Sequence, residues 1–249
     1  MIQLKNKSEL ERMKKACQIS SQALRVAGEN IRAGMTTQEL DRIIHHFIVS
    51  QGAKPSFLGY NGFPGTACIS VNNEVIHGIP SSGRVLQEGD IVSVDVGAYF
   101  DGFHGDNAFT FPVGKISPEA QKLLDVTEKS LYLGIEAALA GKRVGDIGAA
   151  VQSLVEQNGY AVVRQYVGHG VGRDLHEAPE IPNFGRSGHG VRLVPGMTIA
   201  IEPMVNQSGE GVRVLDNDWT VVTKSGSLSA HFEHTIAITE QGPVILTTP

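Results

Sequence analysis

Leu86-Gln87-Glu88-Gly89-Asp90-Ile91-Val92-Ser93-Val94-Asp95 and Leu193-Val194-Pro195-Gly196-Met197-Thr198-Ile199-Ala200-Ile201-Glu202 read as two versions of one segment. In each, a turn containing glycine runs into a β-rich apolar strand that ends in a carboxylate. The leucines, the glycines and the carboxylates of the pair all lie 107 positions apart, and the same offset joins Gly34 to Gly141 and Gly52 to Gly159. Coincidence among common residues is the alternative. Agreement at one offset that includes a carboxylate pair favours an internal duplication.

The segments before these glycines repeat as well. Ser8 with Glu11 has the spacing of a capping box, and Leu10, Met13, Cys17, Leu24 and Ile31 follow at helical spacing up to Gly34. Thr36 with Glu39 opens a second helix that Gly52 stops. Ser117-Pro118 opens a third, running to Gly141, and Ile147, Val151, Leu154 and Val155 form a fourth before Gly159. Each half is therefore two helices followed by antiparallel strands, an α+β layout with helices on one face of a shared sheet.

Alternation through Ile91, Val92, Val94 and Val96 places Asp95 on a strand, Asp101-Gly102 is a two-residue hairpin signal, and Phe109 and Phe111 mark the return. A loop at 101–102 sets residue 97 opposite 106, so Asp95 and Asp106 are diagonal neighbours on one face. Two anions in a half-buried strand repel each other unless a cation lies between them; a solvated hairpin is the alternative. Glu202 weighs for the cation, because it ends the apolar run Met197–Ile201, and Glu233 adds a fourth carboxylate before Thr235-Ile236-Ala237-Ile238. His169 sits between glycines in Gly168-His169-Gly170-Val171-Gly172, a spacing that is not the phosphate-binding G-x-G-x-x-G. Four carboxylates and one imidazole are donors suited to two divalent ions that share bridging carboxylates and an activated water.

Composition argues against nucleic acid as a direct ligand. The 249 residues carry 26 acidic against 21 basic side chains, a formal charge of -5, and no basic block for phosphate. No run approaches the roughly 18 apolar residues of a membrane span, and the start has no signal-peptide core, which points to a cytoplasmic protein. Cys17 and Cys68 can form one bridge at most, or stay as buried thiols in a reducing compartment.

Gly59-Tyr60, Cys68-Ile69-Ser70-Val71-Asn72, His77-Gly78-Ile79-Pro80, Asp101-Gly102-Phe103-His104-Gly105-Asp106, Gly168-His169-Gly170, Glu202-Pro203 and Glu233-His234-Thr235 resemble, in order and along nearly the whole chain, the motifs of the type I methionine aminopeptidases. The resemblance implies the "pita-bread" (creatinase/aminopeptidase) fold in one catalytic domain, 1–249, with pseudosymmetric halves of roughly 1–114 and 115–249. It implies removal of the initiator methionine by water attack at a two-metal centre (Co, Mn, Fe, Zn or Ni), favouring small second residues. Carried over by position, Asp95 chelates one metal, Asp106 and Glu233 bridge, and His169 and Glu202 complete the other. Glu202 is also the expected proton shuttle. His77 and His176 match the substrate-facing histidines, His77 near the scissile nitrogen and His176 near the carbonyl oxygen.

Phe57, Tyr60, Phe63, Cys68, Leu175 and Trp219 fall at the methionine pocket, where an unbranched, polarizable side chain suits apolar walls; packing in the core is the competing reading. Phe57, Phe63 and Leu175 depart from the cysteine, tyrosine and phenylalanine expected there. A monovalent cation is expected on backbone near Asn72 and Glu74, with Ser229. His45, His46, His104, His189, His231 and His234 receive structural or no roles. The implied partners are nascent-chain N-termini near the ribosome, for a monomeric enzyme with neither nucleic acid nor membrane as ligand. The absence of a zinc-finger extension or long second-half insertion suggests the minimal bacterial form. Two rivals stand beside this reading: an aminopeptidase P or prolidase, usually carrying an extra N-terminal domain, and a catalytically dead binding module that should have lost ligands.

Overall fold

The computed structural model describes residues 2–248. Helix α1 (Lys7–Asn30) begins with a reciprocal cap in which the Asn6 side chain accepts the Glu9 N–H and the Glu9 carboxylate accepts the Asn6 N–H. The cap is Asn6 with Glu9, not Ser8 with Glu11. The reason lies outside the helix: the Lys5 N–H is bonded to the Gly196 carbonyl at 2.7 Å, so the chain turns into the helix as soon as it leaves that anchor. Helix α2 (Thr37–Ser50) carries the Thr36/Glu39 box as expected, α3 (Pro118–Ala137) is capped by Ser117 with proline in its first turn, and α4 is Val144–Gln157.

The duplication appears as matched hydrogen bonds. Gly34 N–H donates to the Leu86 carbonyl at 2.8 Å and Gly141 N–H to that of Leu193 at 2.9 Å, and the Leu86 and Leu193 N–H groups return bonds to Met35 and Lys142. The bridge Thr36↔Val85 likewise has its counterpart in Arg143↔Arg192. Gly52 and Gly159, with φ of +73° and +80°, follow α2 and α4 in the left-handed conformation that a Cβ disfavours.

Every strand pairing is antiparallel. Nine strands of the described residues form one sheet, whose main path runs Lys54–Pro55, Ile91–Phe100, Phe103–Pro112, Glu233–Thr239, Thr198–Ile201, Gly168–Gly170, Glu177–Ile181. Ala67–Val71 adds to Ile91–Phe100 and Gly242–Ile245 to Glu233–Thr239, and two three-stranded sheets lie beside it where the sequence suggested a single shared sheet. The strand bearing Asp95 does not end there. Its pairing with the return strand continues to Phe100↔Phe103, which leaves the carboxylate in mid-strand.

Helices α1 and α2 bury Leu24, Leu40, Ile44 and Ile48 against Ile69, Val92, Val94 and Val96. Helices α3 and α4 bury Leu123, Leu131, Ile147 and Val151 against Ile199, Ile201, Ile236 and Ile238. Each half thus has its own core on the shared sheet. Gly105 lets α1 approach: a Cβ there would lie 2.4 Å from Cys17 N. No described helix is long and apolar enough to cross a membrane.

Candidate active site

The hairpin register is Gly97↔Asp106 and Asp95↔Ala108, so Asp95 and Asp106 are diagonal neighbours on one face as the Asp101-Gly102 turn requires. Ala108 also pairs with Glu233 on the next strand. That strand pairs His234 with Ile201, so the residue after Ile201, Glu202, continues the row. Sheet geometry alone thus brings together carboxylates from both halves.

Burial pushes the carboxyls of Asp95, Asp106, Glu202 and Glu233 above the usual range; in Asp95, Glu202 and Glu233 the negative charge of neighbouring carboxylates, Asp106 foremost, raises them further. Asp95 Oδ1, Asp106 Oδ1 and Glu233 Oε1 are buried without a hydrogen-bond partner. His169 supplies no proton to them. Its Nδ1 lies 2.8 Å from the Gly170 carbonyl, an acceptor, so Nδ1 carries the hydrogen. Nε2 then presents a lone pair, 3.5 Å from Glu202 Oε1 and 3.8 Å from Asp106 Oδ2. Burial, aided by the nearby His176, holds this imidazole neutral, its pKa lowered to about 3.

Buried carboxylate oxygens and an imidazole lone pair converge here without hydrogen-bond partners, and a cation among them would relieve the burial and the repulsion that raise these carboxyls. One ligand atom from each of Asp106, His169 and Glu233 lies within 4.8 Å of the others, close enough to share one. The donor set therefore fits divalent metal, with oxygen and nitrogen ligands and a His169 tautomer already fixed.

These residues line a cavity of about 220 Å³. Phe57, Tyr60, Phe63, Cys68, Leu175 and Trp219 line the same cavity, with Phe63 set edge-on to Trp219 at 5.1 Å and Cys68 beside Asp95 across the strand pair. His77 and His176 line it as well. All the metal-ligand and pocket residues expected from the sequence thus line one space, while Cys17 and Cys68 are buried free thiols. Near the expected monovalent-cation position, the Ser229 N–H donates to the Asn72 carbonyl at 2.9 Å, and the Glu74 carboxylate accepts the Val71 N–H.

His77 has φ +57°, the left-handed region that a branched or bulky residue rarely takes, and Gly78 follows it so tightly that a Cβ would strike the Ile69 carbonyl. The ring is held edge-on by Tyr166 at 5.8 Å and Trp219 at 6.1 Å. Burial, with a smaller contribution from His176, lowers its pKa to about 4. At the mouth, His176 Nδ1 is 2.8 Å from the Tyr60 hydroxyl and its ring 4.2 Å from that of His169.

Three contributors escaped the sequence reading. His231, 1% exposed, points an unpartnered Nε2 at Glu202 Oε2 from 3.6 Å. Asn183 donates to the Glu202 carbonyl at 2.9 Å, and the Thr235 hydroxyl donates to the Asp106 carbonyl at 2.7 Å. His231 alone had a legible signal: it lies two residues before Glu233, so a continuous strand would put both on one face. Asn61 also lines the cavity.

Comparison with known proteins agrees with this geometry. The description of metallopeptidase family M24 matches residues 11–240. A methionine aminopeptidase of Clostridium perfringens is 54% identical over 247 residues, covering 99% of both chains. The crystal structure of methionine aminopeptidase from Thermotoga maritima superposes with a TM-score of 0.98 at 46% identity, covering 100% of each chain. A prolidase from Pyrococcus furiosus shares the fold at a TM-score of 0.80 and 25% identity, with 99% of this chain matching 65% of that one. Identity and coverage along the whole length separate the two likenesses, and the chain belongs to metallopeptidase family M24, within its methionine aminopeptidases.

Proposed function

We propose that this chain cleaves methionine from the N-termini of nascent proteins and peptides, favouring small second residues, with Asp95, Asp106, His169, Glu202 and Glu233 holding two divalent metal ions. The observation that carries this reading is the shared cavity: buried carboxylate oxygens without a hydrogen-bond partner and the His169 lone pair open into the same space as the apolar cluster of Phe57, Phe63, Cys68, Leu175 and Trp219. Asp106 and Glu233 would be common to both ions, Asp95 would help to hold one, and His169 with Glu202 the other. Divalent cations bound there supply Lewis acidity, which makes water nucleophilic near neutral pH.

The chain's own groups do the rest. Tyr60 donates its hydroxyl hydrogen to His176 Nδ1, which leaves Nε2–H free to donate to the carbonyl oxygen of the scissile bond. Neutral His77, fixed by its strained backbone, hydrogen-bonds near the scissile nitrogen. Glu202, its carboxyl raised by burial and by Asp106, carries the proton from water to the leaving amine. Phe57, Phe63, Cys68, Leu175 and Trp219 exclude water around the methionine side chain. Asn72, Glu74 and Ser229 serve a monovalent cation. The chain works as a single catalytic domain and a monomer in the cytoplasm, on chains leaving the ribosome; the metal among Co, Mn, Fe, Zn and Ni is set by supply, since ligand type admits them all.

The prolidase likeness sets the test. Protein purified without added metal is loaded with each divalent ion in turn and given Met-Ala-Ser and Ala-Pro-Ala. Release of methionine from the first alone is expected. Cleavage of the second alone would assign the chain to the proline-specific branch, and a folded protein that takes up no divalent metal would support the binding-module alternative.

A further inference from the structure

We propose that Lys5 is a positioning residue for His176, acting through the carboxylate of Glu177; this rests on the role given to His176 above. Residues 171–176 form the loop between the strands Gly168–Gly170 and Glu177–Ile181, and Leu175 and His176 enter the cavity from it. The loop is folded around one side chain. Glu177 Oε1 accepts the Arg173 N–H at 2.8 Å and the Asp174 N–H at 3.3 Å, while Oε2 is bound by Lys5 Nζ. The Lys5 and Glu177 side chains are each 3% exposed. Gly172 passes so close that a Cβ there would meet Lys5 Cε and Nζ, so the loop closes over the pair.

Lys5 is itself fixed at both ends. Its N–H is held by the Gly196 carbonyl at 2.7 Å, and Nζ also donates to the Gln3 carbonyl at 3.1 Å. The loop is fastened a second time to the same stretch of chain by Arg173, which reaches Glu9 at 2.6 Å and lies over the Phe103 ring. Residues 3–9, none of which lines the cavity, therefore set the shape of the loop that does.

The charge balance makes this more than packing. Without Lys5, Glu177 is a buried anion with no counter-charge, a state that proteins escape by protonation, water entry or movement of the side chain. Each escape weakens the hold on the Arg173 and Asp174 amides and lets Leu175 and His176 shift. The hydrogen bond between the Tyr60 hydroxyl and His176 Nδ1 and the close ring of His169 then lose their alignment.

The experiment compares Lys5→Met with the wild type, alone and combined with His176→Ala, in metal-saturated enzyme acting on Met-Ala-Ser. Lys5→Met should lower kcat about 10- to 100-fold. In the His176→Ala background it should lower kcat little further, because the group it positions has gone. An equal fall in both backgrounds would overturn the proposal, as would an unchanged kcat. Glu177→Ala, which removes both the partner of Lys5 and the acceptor of the loop amides, replaces Lys5→Met if the latter does not fold, with the same two outcomes. A readout free of catalysis uses metal-free protein labelled with nitrogen-15 at histidine. The His176 ring resonances should move in Lys5→Met while those of His45 and His234 stay, and an unmoved His176 would refute the positioning role. If the wild type releases no methionine, the function proposed above fails, and this spectrum still decides the role of Lys5.

Discussion

Asp106→Asn should make the metal-free protein more stable and abolish its response to metal. A ligand oxygen of Asp106 and one of Glu233 lie within 4.8 Å. Two unit charges at that distance repel by about 3 kcal/mol at an effective dielectric of about 20. Without metal, this repulsion is avoided only by keeping protons on carboxyls that would otherwise be ionised, which is why burial and neighbouring charge raise them. Asparagine is nearly isosteric with the protonated acid and removes the charge outright. At pH 8 the gain should be about 1–3 kcal/mol, or several degrees in Tm for a chain of this size. In the wild type a divalent ion at about 100 times its Kd adds roughly 2.7 kcal/mol, whereas the variant should gain little. Thermal unfolding of both proteins, with chelator and with saturating Mn(II) or Co(II), measures all four states. A variant less stable than wild type in chelator, yet equally stabilised by metal, would refute the reasoning.

Three further outcomes follow from the same geometry. Near pH 7, metal-free protein should lose stability as pH rises, because Asp106, whose folded pKa burial raises to about 7, holds part of a proton that the unfolded chain has released. The buried histidines act with the opposite sign, His77 lowered to about 4 and His169 to about 3, but their contribution is complete above their unfolded value of about 6.5. Chemical denaturation across that window should give a negative slope of up to about 1.4 kcal/mol per pH unit for each proton retained, removed by saturating metal; a rising curve would contradict it. His77→Ala should cut kcat at least about 100-fold with calorimetric metal affinity unchanged, since His77 lines the cavity and is none of the five proposed metal ligands. Gly105→Ala should lower Tm by several degrees, because its methyl would collide with the backbone of α1 at Cys17, and an unshifted melting curve would show that α1 can withdraw freely.

Much of the site was legible because its placement is local or periodic. The Asp101-Gly102 turn fixed the hairpin register, and with it the juxtaposition of Asp95 and Asp106, since a side-chain period of two leaves no freedom once the loop is set. Thr36/Glu39 and Ser117-Pro118 identified their helices for the same reason. Asn6 and Ser8 each precede a glutamate by three positions, and the choice between them fell to the tertiary bond from Lys5 to Gly196.

By itself, the sequence determined the repeated unit, the strand faces of the acidic residues and, through resemblance, the class of chemistry, because these depend on spacing along the chain. Tertiary structure alone decided that Glu233 and Glu202 continue the row begun by Asp95, that His231 turns an imidazole toward Glu202, and that Lys5 lies beneath the His176 loop. Those contacts join residues tens to more than a hundred positions apart, and local preference carries no record of which distant strand will be a neighbour. Their cost in repelling and desolvated charge is met only once both halves close on a common sheet.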